Sequence, residues 1–142
     1  METSQSRNLV RSYYEDRVRN DPRSMLKYFA PGARYVMAGD PQSSPVISTD
    51  LGPLTFFDIA PAIVDAWRWR AVEIRSALAE GGRAAVWFSL EVEFAPTKEI
   101  VTTEVANFWE FRNGLCVELM EFVDTALVSR IASATGSPQQ RG

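Results

Sequence analysis

Between residues 100 and 124, in IVTTEVANFWEFRNGLCVELMEFVD, apolar and polar positions alternate with a period of two. Strand side chains point to opposite faces in turn, so the stretch predicts two long strands. They join at Asn113-Gly114, a pair suited to a tight hairpin turn. One face of the first strand is Val101, Thr103, Val105, Asn107, Trp109 and Phe111, without a charge, while the other carries Glu104 and Glu110. On the second strand Leu115, Val117, Leu119, Glu121 and Val123 share a face, and Glu121 is its lone carboxylate. Either a bulge near the hairpin turns Glu121 to solvent, or the carboxylate works in a dry pocket.

Upstream, residues 4–19 read as a helix with Leu9, Val10, Tyr13, Tyr14 and Val18 on one side. Asp21-Pro22 predicts a cap followed by proline at the first helical position. The short second helix carries Met25, Leu26 and Phe29 and stops at Pro31-Gly32. Residues 33–38 suit a strand. Residues 39–57 hold three prolines and two glycines and predict a long binding loop or lid, with a brief extended piece at Val46-Ile47. Asp58 caps a third helix with Ile63, Val64 and Trp67 inward and Pro61 in its first turn. Val72, Ile74 and Leu78 share a strand face before Gly81-Gly82. Val86, Phe88, Leu90, Val92 and Phe94 form the next, opposite Trp87, Glu91 and Glu93, up to a break at Pro96-Thr97. Asp124 caps a last helix with Leu127, Val128 and Ile131, and from about Ser133 the chain is a polar tail. Helices first and antiparallel strands after predict an α+β domain over 1–132, with helices on one face of a curved sheet.

Composition narrows the function. The 142 residues are 46% hydrophobic and 23% charged, with net charge −3 and no basic patch, which argues against a nucleic-acid partner. No apolar run approaches the roughly 20 residues of a membrane span. The single Cys116 and the polar N-terminus fit a reducing, cytoplasmic setting. The chain has no histidine, which removes triads with a His base and most zinc sites. Acid–base chemistry falls to Asp, Glu, Tyr, Lys, Arg or Cys, and no cofactor is called for.

This order of elements, with MEFVDTALVSRI after an Asn-Gly hairpin, resembles the SnoaL-like and ketosteroid-isomerase-like branch of the nuclear-transport-factor-two-like superfamily, over roughly residues 5–132. The resemblance implies a cone: a strongly bent sheet that wraps a long helix, encloses an apolar pocket and pairs into homodimers through its outer face. Aligned on the isomerases, Tyr13 falls at the family's tyrosine and Asn107 at its later aspartate. Met37 stands where the base belongs, and only a slip of the alignment brings Asp40 there. The epoxide-hydrolase positions read Val105 and Asn107, so that pair is absent. Glu121 matches the acidic residue that polyketide cyclases carry on the last strand.

The candidates follow, each beside its plainer alternative. Glu121 is a base or acid in the cone, or a carboxylate paired with an arginine. Asn107 holds a substrate carbonyl, or only satisfies Glu121 or backbone. Tyr13 donates to a developing oxyanion, or packs like Tyr14. Asp40 is a base at the mouth, or a turn former before proline. Met37, Trp67, Val105, Trp109 and Leu119 line the pocket, and Trp69 with them. Trp87, on the other face, fits a dimer interface. Cys116 alternates away from Glu121 as a small packing residue. Arg17, Arg19, Arg68 and Arg70 read as solvated, and Arg34 or Arg75 as a carboxylate partner. The expected ligand is a hydrophobic small molecule. The expected function is a cofactor-independent isomerase, cyclase or dehydratase, with a non-catalytic binding module or dimeric scaffold as the alternative.

Overall fold

The structure is a computed structural model that describes residues 1–39 and 55–133. Its elements run α1 (Thr3–Arg17), α2 (Pro22–Leu26), β1 (Phe29–Met37), α3 (Phe56–Ala66), β2 (Trp67–Glu80), β3 (Arg83–Phe94), β4 (Glu99–Arg112), β5 (Leu115–Phe122) and α4 (Thr125–Ser133). The strands form a curved, unclosed five-stranded sheet in the order β1-β5-β4-β3-β2. β1 pairs parallel to β5 and the other neighbours pair antiparallel. The architecture is the cone-shaped α+β fold expected from the sequence.

The period-two segments form strands because one side of each is apolar. Val86, Phe88, Leu90, Val92 and Phe94 are all buried. A ring such as Phe88, fully removed from water, contributes on the order of 2 kcal/mol. α1 lies in the concave face. Tyr13 meets Trp109 edge-on at 4.7 Å between ring centroids, and Tyr14 stacks on Trp69 at 6.3 Å. The β4–β5 hairpin turns at Asn113 (φ 53°) and Gly114 (φ 82°), the left-handed pair that such a turn requires.

Several boundaries differ from the sequence reading. β1 starts at Phe29 and runs through Pro31-Gly32, which does not end a helix. Its register shifts between Phe29 and Arg34, and an edge strand with an irregular pairing tolerates a proline that donates nothing. α2 therefore ends at Leu26. α3 starts at Phe56, so Asp58 is not its cap. Thr55 is the cap, and Asp58 accepts from the Thr55 backbone N–H at 2.8 Å in a capping box. Pro61 thus falls past the first turn, and Trp67 is the first residue of β2 rather than part of the helix. Val72 and Ile74 pair with Leu90 and Phe88 on one face as expected, but a register shift between Ile74 and Ser76 takes Leu78 off that face, and Leu78 is 69% exposed. Residues 40–54, with Asp40 and Val46-Ile47, lie outside the described residues, as does the tail beyond Ser133.

The most consequential difference lies in β5. Phe111 pairs with Cys116 but Glu110 pairs with Glu118, so one extra residue sits between these pairs. This bulge flips the alternation. Cys116 faces the core, fully buried, instead of pointing away from Glu121. Beyond the bulge Leu119 pairs with Trp109 and Glu121 with Asn107, all toward the concave side. The bulge turns Cys116 inward and leaves Glu121 on the inner face.

Candidate functional site

The concave side encloses a cavity of about 70 Å³. By the usual measure a single water needs ~10–15 Å³, so there is room for several waters or a small ligand. Its walls are mostly apolar: Met37 from β1, Phe56 from α3, Trp67 and Trp69 from β2, Leu90 from β3, Val105 from β4 and Leu127 from α4. Four polar side chains of wider reach interrupt them: Tyr13 and Arg17 from α1, Tyr35 from β1 and Glu121 from β5.

Glu121 is held from two sides. Tyr35, on the neighbouring strand, donates its hydroxyl to Glu121 Oε1 at 2.6 Å. Asn107, directly opposite on β4, donates its amide to Glu121 Oε2 at 2.9 Å, and its carbonyl accepts from the Tyr14 hydroxyl at 2.7 Å. The amide takes this orientation because the reverse sets its oxygen against the carboxylate. Trp109 Nε1 in turn donates to the Tyr14 hydroxyl at 3.2 Å. The chain Trp109, Tyr14, Asn107 therefore passes its donors in one direction, toward Glu121, an arrangement that favours the ionised carboxylate.

Burial acts the other way. Desolvation pushes the Glu121 carboxyl above its ordinary value, and the Tyr35 hydroxyl, the Arg17 charge and the Asn107 amide pull it back only in part. Burial also raises the phenols. Tyr35 rises further because Glu121 lies beside it, and Tyr13 rises although Arg17 opposes the shift. Both hydroxyls stay protonated near neutrality and remain donors.

Arg17 is, with Tyr35, a polar group of the cavity that sequence reasoning missed. It was expected in solvent, yet it is 2% exposed. Its Nη1 donates to Asn20 Oδ1 at 3.2 Å and its Nη2 to the Trp67 carbonyl at 3.3 Å, and its guanidinium lies 4.3 Å from the centre of the Trp69 ring. Asn20 locks this corner. With φ 55° it ends the helical segment, accepts from the Trp69 backbone N–H at 2.8 Å and donates to the Trp69 carbonyl at 2.9 Å. The signal was present: Val10, Tyr13, Tyr14 and Arg17 follow the i, i+3, i+4, i+7 stripe of one helix face.

Of the remaining candidates some line the cavity and others do not, and Asp40 lies outside the described residues. Tyr13, Met37, Trp67 and Val105 line the cavity with Glu121. Asn107 is fully buried behind Glu121, and Trp109 and Leu119 belong to the packed core rather than the cavity wall. Arg34 and Arg75 pair with Glu118 and Glu73 at the surface, where such pairs contribute little. Cys116 is inert in this setting, because burial pushes its thiol up to about 12. Among the described residues no three His, Cys, Asp or Glu side chains gather as metal ligands, and no helix is long and apolar enough to cross a membrane.

Comparison with known proteins agrees with this fold. The family model described as SnoaL-like domain matches residues 10–119. No curated protein matches the chain. An NTF2-like protein of unknown function from Burkholderia pseudomallei superposes with a TM-score of 0.73 at 20% identity, over 91% of this chain and 98% of that one. A candidate isomerase from Bacillus subtilis gives 0.74 at 13% identity, over 93% and 94%. A candidate SnoaL-like polyketide cyclase from Jannaschia sp. CCS1 gives 0.66 at 15% identity, over 96% and 95%. At these identities the likeness is one of fold.

Proposed function

This chain belongs to the SnoaL-like domain family, and from that premise we propose that its cavity holds a hydrophobic small molecule bearing a carbonyl or hydroxyl and moves a proton on it. The carrying observation is Glu121: a carboxylate on an apolar cavity wall, desolvated and fixed by Tyr35 and Asn107. Glu121 would take a proton from the carbon next to a carbonyl. The C–H bond breaks, an O–H bond forms on Glu121, and the electron pair moves to the carbonyl oxygen as an enolate. Tyr13, a neutral phenol on the same wall, would donate to that oxygen. Return of the proton to a different carbon is an isomerisation; attack of the enolate carbon on a second carbonyl forms the ring C–C bond, and the alkoxide left on that carbonyl oxygen takes the proton back from Glu121. Asn107 serves here by orienting Glu121 rather than by touching the substrate.

The test is proton exchange. With 2-tetralone in heavy water, mass spectrometry should show deuterium entering the ketone faster with protein than in buffer, and Glu121→Gln should abolish the excess. A wild-type rate no faster than buffer, or an unchanged Glu121→Gln rate, overturns the reading.

Met37, apolar and buried where the isomerases carry their base, favours the second reading, a binding module that holds an apolar ligand without turnover. It predicts ligand uptake with no exchange.

The proposal extends to a homodimer of the cytoplasm, paired through the convex sheet face. Trp87 is 48% and Phe108 51% exposed there, with Phe122 beside Phe108 at 5.6 Å between rings.

A further inference from the structure

We propose that Arg17 seats an acidic oxygen of the ligand, so that the cavity selects compact apolar acids, carboxylates or vinylogous acids, over neutral carbonyl compounds. The inference deepens the reading above and takes its cavity as the binding site. A buried guanidinium is costly unless its charge is met. Arg17 is almost wholly buried, and none of the ion pairs among the described residues includes it. What it touches is neutral: Asn20, the Trp67 carbonyl, the Trp69 ring and the Tyr13 phenol, which burial keeps protonated. A guanidinium has five N–H donors; Asn20, the Trp67 carbonyl and the Tyr13 hydroxyl engage part of this one, and none of them carries a charge. The negative charge that Arg17 feels through space is Glu121, on the same cavity but beyond ion-pair contact.

The cavity thus presents a fixed cation and a carboxylate that burial drives toward its protonated form. A ligand that suits both walls places an anionic oxygen on Arg17 and a proton donor or acceptor at Glu121. The apolar walls between them, with Trp67 and Trp69 flanking Arg17, accept a flat ring. Charge-assisted hydrogen bonds to a planar, always-ionised guanidinium favour an acid over its neutral isostere.

The test is calorimetric titration of the wild-type protein with benzoate and 2-naphthoate, each against its neutral amide. The expected result is that an acid binds at least tenfold more tightly than its amide, and that Arg17→Gln, folded by near-ultraviolet circular dichroism, loses the preference. Equal affinities, binding of neither member of each pair, or a folded Arg17→Gln that keeps the preference overturns the proposal. Should Arg17→Gln fail to fold, the wild-type ratio decides alone. Acid preference without exchange of 2-tetralone sinks the catalytic reading and leaves this one standing.

Discussion

Tyr35 on β1 and Glu121 on β5 share a 2.6 Å hydrogen bond between adjacent parallel strands, and this bond partly offsets the burial that raises the Glu121 carboxyl. The Tyr35 hydroxyl has two effects that separate by pH. It stabilises the ionised carboxylate by about 1.5–3 kcal/mol and does much less for the neutral acid. Tyr35→Phe should therefore raise the Glu121 pKa further. It should destabilise the fold at alkaline pH and have little effect in acid. Carbon-detected titration of the Glu121 carboxyl and urea unfolding at both ends of the pH range check this. A carboxyl that titrates unchanged in Tyr35→Phe would contradict it.

Glu121 itself should make the protein less stable as pH rises. Its folded pKa lies above the ordinary 4.5, so the folded state binds the proton more tightly than the unfolded chain. The contribution is fully present below 4.5 and is lost as pH climbs through the raised folded value. Glu121→Gln removes this dependence. The stability difference between mutant and wild type should be small near pH 4 and move in the mutant's favour toward pH 8. Denaturant midpoints at matched pH measure it, and a difference that stays flat with pH would show that Glu121 is not desolvated.

The strand half of the fold was legible in the sequence because its signal is local. β3 and β4 repeat apolar residues with a period of two, and Asn113-Gly114 specifies its own turn. Glu121 stood out for the same reason, as a charge on an apolar face. What the sequence concealed depends on one-residue shifts or on distance. The β5 bulge is one residue long, yet it reverses the face of Cys116. Arg17 read as solvated because charge usually faces water, and only the folded Asn20–Trp69 corner shows where its guanidinium rests. Tyr35 was passed over because β1 is an edge strand broken by Pro31-Gly32, without a clean alternation.

Cys116 should be unreactive in the native protein. It is fully buried, its Sγ approaches the Glu118 carbonyl at 3.3 Å, and its thiol is held near 12. Ellman's reagent should label it only with the rate of unfolding, so that labelling accelerates in urea along with loss of near-ultraviolet circular dichroism. Rapid labelling of folded protein would contradict the inward turn of the β5 bulge.

The convex face supplies the last prediction. Phe108 and Phe122 project from neighbouring strands as an exposed aromatic pair, with Trp87 on the next strand bonded through its indole N–H to Glu104 at 2.8 Å. Exposed aromatics clustered on one face have a hydrophobic reason to be covered. If a second copy covers them, Phe108→Glu places a charge in the contact from each protomer and should convert a dimer into a monomer. The fold should barely notice, because substitutions at exposed positions usually change stability by less than about 0.5 kcal/mol. Sedimentation equilibrium reads the mass, and thermal melting confirms that the monomer remains folded. A wild-type protein that sediments as a monomer at high concentration would remove the dimer from the proposal. The cavity reading would stand, because the described residues of a single chain enclose it.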